Sequence, residues 1–437
     1  METQPAGSPP AGSLTLDAVD LADLEPFARD DAWRRFDLLR QESPVHWTPE
    51  PAPGTGFWSV TRHQDIIAID RDPDTFTSTE YVNLEDVDDD LKDLRRSMLE
   101  SDGQRHRALR KLMQREFGGQ TLRKYEDFLR GLTAATVDAA LRGTADNAGP
   151  GRTVEFDFVK EISADFPIQV LARMLDVPAD HTGQLIDWGN RMIGNTDPDY
   201  ADVLLEDKDS DQYKHLPFRS PAALEVFEYG RELARQRKGG EGEDLISKLI
   251  NRVPEDGEPL TATEFDNYFL LLVVAGNETT RHTISHAMLA LLQNPDQLAL
   301  LQQDPSLIPT AVEELLRWAS PVYHFRRTAT RDVEIAGTQI RQGDKVVMWF
   351  ASGNRDESVF TDPYRLDVTR SPNDHITFGK GGPHFCLGNN LARLEIRLMF
   401  ETLLPRIRSV ELAGDVTFVR SNFVHGIKKF PVRITTV

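Results

Sequence analysis

"FGKGGPHFCLGNNLAR", residues 378 to 393, holds Cys386, the only cysteine in a chain of 437 residues, with Gly381, Gly382 and Gly388 close around it. A lone thiol excludes an intramolecular disulfide framework and any zinc or iron–sulfur site built from several thiolates. Cys386 is therefore a single ligand, a nucleophile or a bystander. The loop runs into a helix that starts near Leu387 to Asn389, and that helix turns its positive end toward the sulfur. Glycine in the loop would let backbone amides come close to it.

Working outward, 39% apolar and 27% charged residues are ordinary for a globular chain, and no linker or internal repeat divides it, so one domain is expected. The longest apolar run, "FLLLVVA" (269–275), is far short of the roughly 20 residues of a membrane-spanning helix. The start, "METQPAGSPPAGS", has neither a positive end nor an apolar stretch. Residues 1–18 thus read as a disordered tail ahead of a domain over 19–437, and a cytoplasmic location is expected. A net charge of −20 disfavours nucleic acid and anionic membranes as partners. The acidic runs "EDVDDDLKD" (85–93) and "EDKDSDQ" (206–212) are expected to be solvated loops.

Helical periodicity predominates from about 85 to 320, with a strand and helix at 57–72 and paired strands around a Gly-centred turn at 330–356, so the fold is mainly α with a small β region. The longest predicted helix starts at Thr261, where Thr261 and Glu264 form a capping box, and runs to about Gln293 before Pro295. Its middle reads "AGNETTRH" (275–282), where a core helix would prefer Ala and Leu; Gly276 there costs about 1 kcal/mol relative to Ala. Either the helix tolerates a kink with a solvated acid, or a ligand approaches the backbone. "EELLR" puts Glu314 and Arg317 three apart on one helical face, and "RHRALRKLMQR" does the same for His106 and Arg110 at four.

Taken together, "HRALR" (106–110), "AGNETT" (275–280), "ELLR" (314–317), "RTAT" (327–330), "NRD" (354–356) and the cysteine loop resemble the cytochrome P-450 family in order and spacing, from about residue 20 to the end. One departure is visible: the common loop has Phe seven residues before the cysteine, and here Phe378 lies eight before it. This longer form, with "AGNETTRH", looks like the bacterial subgroup that oxidises sterol side chains and isoprenoids.

The resemblance implies haem b with Cys386 as the axial iron ligand, since a thiolate donates electron density that favours O–O cleavage. It also implies that His106, Arg110, Arg327 and His384 bind the haem propionates, that Phe378 and Gly388 belong to the cofactor loop, and that Ala275 and Gly276 lie nearest the haem face. Glu278 and Thr279 match an acid–alcohol pair that relays protons. Glu314 and Arg317 would join a buried cluster completed by Arg365, with Arg370 as the alternative. His282 and His286 continue the Glu278 face at four-residue steps, which raises a metal site and a proton path through His282 as readings, neither of them assigned.

The expected activity is insertion of one oxygen atom from dioxygen into an apolar substrate, with electrons from a ferredoxin and its NAD(P)H-dependent reductase. The alternatives are a peroxide-driven haem-thiolate enzyme and a non-catalytic haem-binding sensor or carrier. On the His106 helix, Arg107, Lys111 and Arg115 fall on a second face and, with Lys380 and Arg393, would form a positive island for the electron donor.

Overall fold

The computed structural model describes residues 14–50, 54–142 and 151–437. Its longest element begins where the capping box predicts: the Thr261 hydroxyl accepts the Glu264 amide at 3.1 Å, and the Glu264 carboxylate accepts the Thr261 amide at 2.9 Å. This central helix, Ala262–Gln293, is 32 residues long, and Pro295 opens the next helix, Pro295–Gln303. Most of it is buried, because helices pack around it, foremost among them Asp165–Leu175, Thr182–Ile193, Ala222–Arg237, Ile308–Ala319 and Asn389–Leu403.

The principal sheet has five strands in the order Val45–Thr48, Phe57–Val60, Lys345–Trp349, His324–Ala329 and Phe76–Thr77. Among these strands only Phe57–Val60 and Lys345–Trp349 run parallel; their connection is long, as a parallel pair requires. The strand Lys345–Trp349 is buried throughout, which fits its unbroken run "VVMW". The expected Gly-centred turn joins Val333–Ile335 to Thr338–Ile340, with Ala336 at φ 47° and Gly337 at φ 83°. Thr153–Asp157 pairs with Pro431–Thr436, a strand the helical periodicity did not signal.

Two expectations need amendment. The tail falls mainly on residues 1–13, outside the described residues, but Leu16–Ala18 form a 3-10 turn, and Leu14 and Leu16 pack against an aromatic core that includes Phe27, Phe36 and Trp349. The acidic runs are largely exposed, as expected, but they are not loops throughout. Asp89–Arg95 is helical, Lys208–Tyr213 is a 3-10 helix, and Glu85 is buried between Arg95, which it meets at 2.7 Å, and Arg219. Composition marks a charge run as solvated, but a carboxylate with two guanidinium partners can be buried.

Candidate active site

The loop 378–388 closes on itself through the Cys386 amide, which donates to the Phe378 carbonyl at 2.9 Å. Two glycines are required by conformation, Gly379 at φ 74° and Gly381 at φ 79°. Gly382 is required by space, because a Cβ there would stand 2.0 Å from the Asp70 carbonyl oxygen. These glycines therefore serve the turn and its packing on the helix His63–Asp70, not close approach of their own amides to the sulfur. The amides that reach the Cys386 sulfur come from Gly388 and Asn389, at the start of the helix Asn389–Leu403. Burial pushes the thiol up, and these amides with Arg110 and Arg393 pull it down. Phe378 lies beneath Arg393, whose guanidinium carbon is 4.6 Å from the ring centroid, and Arg393 is bidentate to Glu313 at 2.7 and 2.9 Å.

Next to the thiol stands a group of donors with too few acceptors. Arg110 donates to the Phe385 carbonyl at 2.6 Å and has no ion pair among the described residues. Arg327 donates to the Arg326 carbonyl at 2.9 Å and lies 3.7 Å from Asp70. His106 is buried with its Nε2 unpartnered, and its ring lies 4.1 Å from that of His384. His384 is 3.1 Å from Asp102, whose carboxylate also accepts from Thr77 and the Ser78 amide. Burial lowers both arginines, and burial with the neighbouring positive groups pushes His106 down to about 3. The structure thus gathers four groups far apart in sequence with donors to spare, the His106 Nε2 unpartnered and Arg110 on a carbonyl alone. Further carboxylates suit these donors, and haem b carries two propionates.

On the central helix, at about 100° per residue, Ala275, Gly276 and Thr279 share one narrow arc. Ala275 is exposed and Gly276 and Thr279 partly so, although their neighbours in sequence are buried. The Thr279 hydroxyl donates to the Ala275 carbonyl at 3.0 Å. No kink is needed at Gly276, and the helix runs through it. Glu278 lies off this arc and is 1% exposed. Its carboxylate pairs with Arg281, accepts from Asn277 at 3.1 Å and lies 3.4 Å from His282 Nε2. Arg281 in turn donates to Asn190 at 2.8 Å, and a Cβ at Gly189 would sit 2.7 Å from Glu278. Arg281 and His282 hold Glu278 ionised against burial.

His282 Nδ1 accepts the Ile427 amide at 3.3 Å, so Nε2 carries the ring hydrogen and donates to Glu278. Both nitrogens are engaged, which closes a proton route through this ring. Among the described residues no cluster of His, Cys, Asp or Glu could hold a metal ion.

Glu314 and Arg317 form the buried pair that their spacing suggested, bidentate at 2.8 Å each. The cluster is completed by Arg370, 3.1 Å from Glu314, and not by Arg365, which is exposed. Asn373 and the Asp367 amide add two more donors to Glu314 at 3.0 Å each. Arg317 also donates to the Asn354 and Pro363 carbonyls, which ties this cluster to the segment leading into the cysteine loop.

Sequence reading missed Asp70 and Asp102, which brace Arg327 and His384; only the spatial pairing shows them.

The family model described as Cytochrome P450 matches residues 75–412. The methyl-branched lipid omega-hydroxylase of Mycobacterium tuberculosis is 36% identical over 439 residues, covering 98% of this chain and 97% of that protein. The steroid C26-monooxygenase of Mycolicibacterium smegmatis is 37% identical over 410 residues, covering 91% and 89%. A cytochrome P450 of Mycobacterium marinum, solved in complex with pseudoionone, aligns with TM-score 0.83 at 36% identity, covering 97% of this chain and all of that one. A single thiol at a helix start, a buried group with hydrogen-bond donors to spare and similarity along nearly the whole chain have one common explanation: the protein belongs to the cytochrome P450 family of haem-thiolate monooxygenases.

Proposed function

We propose that the protein hydroxylates a free apolar lipid with a branched isoprenoid or steroid skeleton, using electrons from an external ferredoxin. The observation that carries the substrate class is agreement among three similar proteins, whose names specify a methyl-branched lipid, steroid carbon 26 and a bound pseudoionone. The partly exposed side chains beyond Pro321 support it, since they are apolar: Val322 bridges to Val424, and Phe325 meets Phe423 edge to face at 5.7 Å.

In this reading Cys386 ligates the iron, and His106, Arg110, Arg327 and His384 hold the propionates through charge-assisted hydrogen bonds. Gly388 and Phe378 shape the thiolate side; Ala275 and Gly276 leave room on the opposite face. When bound, the haem activates dioxygen with two externally supplied electrons, and its thiolate ligand favours O–O cleavage. Thr279 presents its hydroxyl on the open arc and orients a proton there. Glu278 exchanges protons with that arc when Arg281 releases its carboxylate. The intact Glu278–Thr279 pair favours the dioxygen route over peroxide-driven chemistry or a carrier.

The electron donor would dock near the thiolate. Lys111, Lys380 and Arg393 are paired with Glu255, Asp374 and Glu313, so Arg107 and Arg115, both exposed, contribute the unpaired charge of that face among the described residues. This arrangement guides orientation and on-rate more than affinity.

The test is a titration of the haem-loaded enzyme with steroids, terpenoids and methyl-branched lipids, read by the spectral change that accompanies loss of iron-bound water. It is followed by product analysis with reduced ferredoxin and dioxygen. Saturable binding and a hydroxylated product are expected. Tight binding of small polar aromatic acids, with none of the lipids, would contradict the reading.

A further inference from the structure

The strands Thr417–Phe418 and Ile427–Lys429 pair antiparallel, and the loop between them holds a tight turn at 421–424. The Ser421 hydroxyl closes that turn by accepting the Phe423 and Val424 amides, both at 3.1 Å. Ser421, Val424 and His425 are buried, but the Phe423 side chain is partly exposed and packs against Phe325. The Tyr323 amide donates to the Phe423 carbonyl at 2.8 Å, so the turn lies along the segment leading from Pro321. Behind it the Ile427 amide reaches His282, which places the hairpin on the central helix within one turn of Thr279.

A turn closed on itself moves as a unit, so its place is set by the residues that flank it, Arg420 and His425. Both are held by one short stretch near the start of the chain. Glu25 meets the Arg420 guanidinium at 3.0 Å, Asp30 meets His425 Nε2 at 3.1 Å, and the Leu21 carbonyl accepts from Asn422, within the turn, at 2.9 Å. Residues 21–30 thus grip the turn at its middle and on both sides. Asp30 does so from a left-handed backbone at φ 53°, which glycine adopts more easily, and its carboxylate also accepts from Trp33 at 2.8 Å. The remaining ties differ: Arg420 also meets Glu206 at 2.9 Å and the Thr196 carbonyl at 2.8 Å, whereas the His425 ring meets the Ala319 carbonyl at 2.7 Å. These residues are separate from the cysteine loop and from the donor group around His106.

We propose that residues 21–30 are a clamp that sets how far Phe423 reaches into the substrate cavity, with Asp30 and Glu25 as positioning residues that act on substrate selection through Phe423; this rests on the apolar-lipid reading above. An apolar wall discriminates by shape, and a small displacement of one ring changes which skeletons fit. Asp30 carries more of the effect than Glu25. Arg420 keeps Glu206 when Glu25 is lost, but His425 has no second carboxylate among the described residues.

Spectral titration of the haem-loaded enzyme tests this with two probes: a methyl-branched lipid, and a series of phenylimidazoles of increasing bulk, which ligate the iron and need no substrate. Asp30→Gly suits the left-handed backbone and removes the tie. It should weaken lipid binding about 10-fold and change the size limit on the phenylimidazoles, and Glu25→Ala should do the same to a smaller degree. Haem affinity and the thiolate-type carbon monoxide spectrum should stay as in wild type. In a Phe423→Ala background, Asp30→Gly should alter the binding of either probe by less than about 2-fold, because the residue it acts through is gone. An Asp30→Gly effect of equal size in that background shows a general structural role and overturns the proposal. Wild-type binding of both probes by Asp30→Gly overturns it as well. If Asp30→Gly does not fold, Glu25→Ala and its cycle with Phe423→Ala decide alone. Failure of the wild type to bind any lipid would overturn the substrate reading, and the phenylimidazole series would still decide on the clamp.

Discussion

Glu314 and Arg317 are buried as deeply as His106 and Arg327, yet the two groups are finished to different degrees. Around Glu314, two guanidinium groups, an amide side chain and a backbone amide converge on one carboxylate, and the Arg317 donors go to Glu314, Asn354 and Pro363. Around His106, Arg110, Arg327 and His384, donors outnumber acceptors, and an imidazole nitrogen stays unpartnered. The first arrangement is complete within the protein and is architecture. The second keeps donors to spare, as the proposed cofactor site requires. Depth of burial does not separate the two classes; the balance of donors and acceptors does.

The comparison breaks most visibly in stability. Arg317→Ala should cost about 3–5 kcal/mol, because it takes the bidentate partner from buried Glu314 and leaves Arg370 as its one cation, and no haem-loaded protein should accumulate. Arg365→Ala, at the exposed residue that the structure removes from the cluster, should stay within about 0.5 kcal/mol of wild type. Urea denaturation of both variants separates these outcomes.

The second group should behave in the opposite way. Arg327→Ala removes a buried charge whose carboxylate partner, Asp70, lies 3.7 Å away and still accepts the Lys380 amide, so the apoprotein should lose far less stability than Arg317→Ala does, while haem affinity falls about 10- to 100-fold. Competitive haem transfer to a second acceptor protein measures the affinity. An apoprotein destabilised as much as Arg317→Ala would erase the distinction.

A smaller effect sharpens it through pH. His106 is pushed down to about 3 by burial and by His384 and Arg110, so the folded apoprotein resists a proton that the unfolded chain accepts. A depressed histidine contributes stability above the unfolded pKa and loses it as pH falls. Between about pH 6.5 and 5 the loss should reach at most about 2 kcal/mol. Bound propionates favour the protonated ring, so the slope should be shallower in the haem-loaded protein. Parallel melting curves at several pH values check both.

Much of this was legible in the sequence, for reasons that differ by element. The central helix announced both ends, because a capping box and a following proline act locally. The cysteine loop was legible as glycine-rich, but the reason for its glycines was not: Gly379 and Gly381 serve turns, and Gly382 packs against Asp70. The choice of Arg370 over Arg365 was not legible, since both lie in one loop and only tertiary folding decides which guanidinium turns inward. Glu85 was misread as solvated because its partners, Arg95 and Arg219, come from two separate segments.

The central claim, that one thiol and an unsatisfied donor group together hold haem, is tested most directly by Cys386→Ser. Reduced wild-type protein under carbon monoxide should show the thiolate-type absorption, and the folded variant should show none of it while its donor group remains intact. A Cys386→Ser protein that kept the thiolate-type spectrum would contradict the account.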